Sequence, residues 1–154
     1  MTTELRVATV DVVLLDPDRE HRILVLQRGS GTRSTGAWEI VHGRLEPDER
    51  PEDAAIREVR EETGLAVSRL YNVGCHAFYL HRQSFVNMAV VFAAIVDSSA
   101  PLTLGAEHSS AMWLLPKAAE SRLSWPRSRQ VVRDVMVLLK GGDAGVLEDV
   151  LRVR

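Results

Sequence analysis

The stretch that most constrains this chain runs from Gly43 to Leu65, GRLEPDERPEDAAIREVREETGL. It predicts one helix over 51–63. Pro51 suits the first helical position, where its missing N–H is not needed. Glu52 and Asp53 place negative charge in the first turn, at the positive end of the helix dipole. Gly64 supplies a left-handed stop. On that helix Glu58, Glu61 and Glu62 stand at i, i+3 and i+4 and share one face. Such a face is either a solvated acidic surface laced with Arg57 and Arg60, or an oxygen-rich site for a hard divalent cation. Mg²⁺ is the ion that combines one or two carboxylates with substrate phosphates. Ala55, Ile56, Val59 and Thr63 point the other way, to pack on a sheet.

At 154 residues the chain reads as one domain over 1–154, large enough for a substantial core. A formal net charge of −2 provides no global attraction to nucleic acid or to a membrane surface, so neither a stable nucleic-acid complex nor membrane binding is expected. An acidic site handling anionic phosphates then needs metal ions and local arginines. The single cysteine, Cys75, rules out an internal disulfide and gives no cysteine zinc cluster. No apolar run reaches the roughly 18 residues of a spanning helix. Met1-Thr2-Thr3-Glu4 lacks a basic-then-apolar start, so the cytoplasm is the expected compartment.

Around the helix the pattern alternates strands and turns. Residues 6–15 and 22–27 form a predicted hairpin across Asp16-Pro17-Asp18-Arg19-Glu20. Residues 29–36 form a Gly- and Ser-rich loop, either a substrate cover or a plain connection. Residues 38–41 form a short strand. Residues 67–80 and 85–97 form a large antiparallel hairpin. A loop over 98–107 leads to a short strand over 111–115, and Pro116 starts a brief helical turn. Residues 126–140 form an amphipathic helix ended by Gly141-Gly142, with Val131, Val132, Val135, Met136, Leu138 and Leu139 near helical spacing. Val146, Leu147, Val150 and Leu151 form a last short helix, packed on its own domain or on a partner. Periodicity alone defines the class as α+β.

Gly43, Glu49, Arg57-Glu58-Val59, Glu61-Glu62 and Gly64-Leu65 match all nine fixed positions of the Nudix box, G-x5-E-x7-R-E-U-x-E-E-x-G-U with U apolar. The chain therefore resembles the Nudix hydrolases. The resemblance implies an α/β/α sandwich with a mixed central sheet, and Mg²⁺-dependent hydrolysis of a diphosphate linkage, with Mn²⁺ as a substitute. It implies that Glu61 and Glu62 are metal ligands, that Glu58 is a ligand or a base, and that the His42 backbone carbonyl is a further ligand. Arg57 and Glu49 occupy the box's ion-pairing positions, so Arg57 is expected to orient a carboxylate. His42 and Asp48 stand where the family usually has Gly. Asp tolerates left-handed geometry, and neither departure removes a charge the chemistry needs. Arg50 holds a cap position better suited to Ser or Thr.

Glu107, in the loop before the Trp113 strand, is the candidate extra ligand or base. Arg28, Arg33, Trp38, His81 and Asn87 are the candidate substrate contacts. Trp38 and Trp125 both carry flat rings suited to a base or pterin; Trp125 is assigned to the core. Glu107-His108, Trp113-Leu114, Leu123-Ser124-Trp125 and Ser128-Arg129-Gln130 are similar to the dihydroneopterin triphosphate pyrophosphatase subgroup. That likeness implies a nucleoside or pterin triphosphate of the dATP or dihydroneopterin type, cleaved to monophosphate and pyrophosphate. Another diphosphate-linked substrate (a dinucleoside polyphosphate, a nucleotide sugar, an oxidised nucleotide) and a non-catalytic nucleotide-binding domain are the alternatives. Many relatives are dimers, so the resemblance allows a homodimer, but no patch in the sequence demonstrates one.

Overall fold

The computed structural model describes residues 2–154. Strand β1 (Glu4–Asp16) is the spine of a seven-stranded sheet. It runs parallel to β6 (Phe85–Ile95) and antiparallel to β2 (Arg22–Arg28) and β4 (Val41–Arg44). Strand β5 (Arg69–Leu80) closes one edge beside β6. Strand β2 also carries β3 (Trp38–Glu39) and β7 (His108–Leu114). The sheet is therefore mixed. From Thr9 onward β1 is buried on both faces, as a strand covered by helices on each side must be.

Helix α1 (Pro51–Thr63) covers one face. Ala54, Ala55 and Val59 pack there with Val10, Val12, Leu14, Phe92 and Ala94. Helices α2 (Pro116–Arg122) and α3 (Pro126–Leu138) cover the other, where Ala119, Val131, Val132 and Val135 meet Val13, Leu15, Val91 and Ala93. Three layers result, the α/β/α sandwich the sequence implied.

Helix α1 has the predicted bounds. Gly64 takes φ 75° and donates its N–H to the Arg60 carbonyl, while Arg50 makes no side-chain cap. Asp48, where a glycine was expected, takes φ 60°. Two strands differ from the sequence reading. The predicted 38–41 strand breaks at Ile40, so that Trp38 and Glu39 pair with β2 while Val41 onward pairs with β1. Strand β7 begins at His108, earlier than expected, because His108 pairs with Arg28 across a bulge. Both differences position the site, for they carry Glu39, His42 and His108 to one end of the sheet.

The last segment, a single 3₁₀ turn (Gly145–Leu147) followed by α4 (Glu148–Leu151), docks on its own sheet. Arg152 bridges Tyr71, and the Tyr71 hydroxyl donates to Glu148 at 3.0 Å. Val146 and Val150 nevertheless remain exposed. No helix among the described residues is long and apolar enough to cross a membrane.

Candidate active site

The site begins with the crossing of β4 over α1. A Cβ at Gly43 would fall inside the Glu58 side chain, so only glycine lets the glutamate lie across that strand. Arg57 then locks the two elements together. Its guanidinium donates to Glu49 Oε1 and Oε2 at 2.8 and 2.9 Å, to Glu58 Oε1 at 2.8 Å, to Glu61 Oε2 at 3.2 Å and to the Arg44 carbonyl at 2.9 Å. Arg57 thus holds the carboxylates of Glu49, Glu58 and Glu61. Its hydrogen bonds, with the Glu46 amide, hold Glu49 down to about 2.

Glu62 has a different environment. Its side chain is buried and one carboxylate oxygen, Oε2, has no partner. Burial, reinforced by the charges of Glu58, Glu39 and Glu107, pushes its pKa up to about 9. Burial and the neighbouring Glu61 and Glu107 also raise Glu58, against the pull of Arg57. An orphaned carboxylate oxygen amid like charges is a donor set that lacks positive charge, and it fits a hard divalent cation. No group of three acidic, His or Cys side chains among the described residues is already gathered as a metal cage, since Glu58 and Glu61 lean toward Arg57.

The glutamates line one wall of a cleft of about 760 Å³. Glu107 and Gly105 follow. Gly105 packs against the backbone of α1, a Cβ there lying 3.1 Å from the Glu61 carbonyl oxygen. Glu107 is exposed and lies 3.8 Å from Arg28. Arg28 is committed mainly to Glu39, at 3.0 Å, and to the Arg33 carbonyl, at 2.5 Å. Glu39 also accepts from His108 Nε2 at 2.8 Å. Burial opposes its ionisation, but His108 and Arg28 together keep its pKa below the usual value. Arg33 and Ser34 bring the 29–36 loop to the rim, and hydrogen bonds from Thr32, Thr35 and Gly36 tie that loop down.

Behind the cleft Asp11 is buried between two imidazoles. His42 Nδ1 lies 2.5 Å from Oδ1 and donates to it, and His76 Nε2 lies 2.6 Å from Oδ2. Burial opposes the Asp11 charge, yet the two histidines hold its pKa well below the usual carboxylate range. Asp11 and Glu39 raise His42 against the effect of its burial.

The far wall is Trp125, Arg127 and Ser128, from the start of α3. Of the sequence candidates, Arg28, Arg33, His42, Glu58, Glu61, Glu62 and Glu107 come together in this cleft, with Arg57 supporting them. Three candidates do not. Trp38 packs against the core with Arg122 over its ring. Asn87 is fully buried and donates to Thr9 Oγ1 at 2.8 Å. His81 is exposed in the β5–β6 turn. The two tryptophans therefore exchange roles, because β3 carries Trp38 under α2 whereas Trp125 precedes a helix that faces the cleft. Asp11 and Glu39 carry no local sequence signal and are brought in by strand pairing, and Arg127 is brought in by α3; His108 is visible in the sequence only as part of the Glu107-His108 likeness.

A Nudix fold with an intact box and a cleft over it defines a hydrolase class, and residues 5–135 match the NUDIX domain family. The chain belongs to that family, whose members generally need a divalent metal and act on nucleotide-type substrates. It is 35% identical over 116 residues to an octanoyltransferase of Myxococcus xanthus, covering 74% of this chain but only 32% of that protein, so the chain spans about a third of that relative's length. It is 29% identical over 110 residues to the CTP pyrophosphohydrolase of Escherichia coli K12, covering 71% of this chain and 78% of that protein. In fold it is similar to the E. coli dihydroneopterin triphosphate pyrophosphohydrolase, with a TM-score of 0.69 at 24% identity over 88% of this chain and 99% of the other. A MutT protein from Methanosarcina mazei Go1 gives a TM-score of 0.70 at 24% identity over 86% and 94%.

Proposed function

We propose that this protein hydrolyses a nucleoside or pterin triphosphate to the monophosphate and pyrophosphate, with Mg²⁺ as its cofactor. The observation that carries the reading is Glu62, a buried carboxylate with an unpartnered oxygen, which lines the cleft together with Glu58, Glu61 and Glu107. Glu58, Glu61, Glu62 and the His42 carbonyl would hold the ion. When bound, Mg²⁺ supplies positive charge to the phosphoryl oxygens and lowers the pKa of water. Glu107 is the candidate base, an exposed cleft carboxylate whose nearest cation is Arg28 at 3.8 Å. Its part is to take a proton from the attacking water as one P–O anhydride bond breaks. Arg33 at the rim and His42 on the inner wall face the phosphate chain.

The substrate class follows the chain's similarity to the CTP pyrophosphohydrolase and the dihydroneopterin triphosphate pyrophosphohydrolase. Other relatives are named 8-oxo-dGTP diphosphatase and ADP-ribose pyrophosphatase, so an oxidised nucleotide or a nucleotide sugar is the second reading. The test is a panel of dATP, the other nucleoside triphosphates, dihydroneopterin triphosphate, nucleotide sugars and dinucleoside polyphosphates, with and without Mg²⁺, products resolved by chromatography. Pyrophosphate with monophosphate supports the proposal. Cleavage of only a sugar nucleotide or dinucleotide replaces the substrate. Silence from folded protein with Mg²⁺ present leaves a nucleotide-binding domain.

A further inference from the structure

Among the described residues lining the cleft, Arg127 is the arginine that lies over aromatic rings. Arg28 is paired with Glu39, and Arg57 with Glu49, Glu58 and Glu61. Arg127 forms no ion pair among the described residues, and its buried Nε has no hydrogen-bond partner. Its guanidinium carbon lies 4.3 Å from the Phe78 ring centroid and 4.9 Å from that of Trp125. Rings held against a guanidinium occupy its faces and fix its plane, so that it can donate only through its edge. Arg127 lines the cleft together with Trp125 and Ser128.

A guanidinium edge presents in-plane N–H donors and no acceptor. Its complement is a flat group with two adjacent acceptors, such as the oxo oxygen and neighbouring ring nitrogen of guanine or a pterin. The corresponding edge of adenine sets an amino donor beside its ring nitrogen and cannot satisfy both donors. A hydrated phosphate also accepts from arginine, but two apolar rings suit a neutral heterocycle better, and the phosphate chain is wanted at the glutamates. We infer that Arg127, held against Phe78 and Trp125, reads the edge of the base and makes this cleft selective for 6-oxopurine or pterin triphosphates over 6-aminopurine ones. The inference rests on the proposed triphosphate substrate and narrows it.

The experiment compares kcat/KM for dGTP, dihydroneopterin triphosphate and dATP in the wild type, Arg127→Met and Arg127→Lys. The ratio between substrates within one protein is insensitive to partial misfolding. The wild type is expected to favour the oxo substrates by about tenfold or more, in the range of one bidentate base contact. Both variants are expected to bring the ratio close to one, because Lys keeps the charge but loses the fork. Equal use of all three substrates by the wild type overturns the inference. So does a uniform loss in Arg127→Met that Arg127→Lys restores, which would make Arg127 a phosphate anchor. If no substrate is cleaved, calorimetric binding of the α,β-imido analogues decides. A retained oxo preference keeps the inference and rejects the hydrolase reading, whereas equal binding rejects the inference itself.

Discussion

The Glu58 side chain lies across the backbone of Gly43 and fills the space where any other residue would carry its Cβ. Strand β4 and helix α1 can approach this closely only because one has no side chain at the crossing. Gly43→Ala is therefore expected to push Glu58 out of place while the core, which does not include it, survives. A displacement of about 1 Å at a reacting site costs on the order of 10²-fold in rate. Steady-state kinetics with a thermal melt checks this; an unaltered rate would mean that Glu58 need not lie there.

Glu61→Gln and Glu62→Gln are each expected to remove most hydrolysis, by more than the roughly 10–100-fold lost when only a supporting partner of a metal ligand is removed. Near-normal turnover in both would end the proposed mechanism.

Glu62 also gives a pH signature in the metal-free protein. Its pKa is about 9 in the fold against an ordinary 4.5. Between those values the folded chain keeps a proton that the unfolded chain releases, so stability falls as pH rises, by up to about 1.4 kcal/mol per pH unit. Below the unfolded value both states are protonated and nothing is lost. Glu62→Gln resembles the neutral acid at every pH. It is expected to raise Tm in chelator, slightly at pH 5 and increasingly toward pH 8. A Tm difference that stays flat with pH would count against a raised Glu62.

Asp11 gives the opposite signature. Its pKa is depressed, so its contribution is present above the unfolded value of 3.8 and is lost as pH falls toward the folded one. That of His42 is raised, so its contribution is complete below the unfolded 6.5 and is lost as pH rises through the folded value. The pair is therefore complete between about pH 4 and 6.5. Asp11→Asn is expected to cost on the order of 3 kcal/mol there, as when one partner of a buried ion pair is removed, and less at pH 8. Denaturant melts across pH measure the difference.

Glu107→Gln is expected to slow hydrolysis on the order of 10²-fold, the lower end of what a general base contributes. The fold is expected to be unaffected, since the side chain is exposed. Unchanged rate and metal dependence would make Glu107 a loop residue only.

Local chemistry made part of this molecule legible. Helix α1 is bounded by Pro51 and Gly64, and its glutamate face depends only on spacing within it. The Asp11 group was not legible in the same way. Asp11 comes from β1, His42 from β4 and His76 from β5, and only the pairing of β1 with β4 and β6 brings them together. Glu39 and His108 meet for a similar reason, through strands β3 and β7 on either side of β2. Trp38 and Trp125 illustrate the limit at a single residue. Each is an aromatic beside a turn, and which one faces the cleft depends on the pairing of β3 with β2 and on the packing of α3.

The parallel pairing of β1 with β6 also bears on how the molecule forms. Residues 4–16 leave the ribosome well before residues 85–95, and at about 5–20 residues per second the interval lasts seconds. During that time β1 can pair with β2 and β4 but keeps one apolar edge open. Long-range parallel pairing of this kind is slow and exposes strand edges meanwhile. The strand that organises the finished sheet is thus, during synthesis, the segment most in need of protection from other nascent chains.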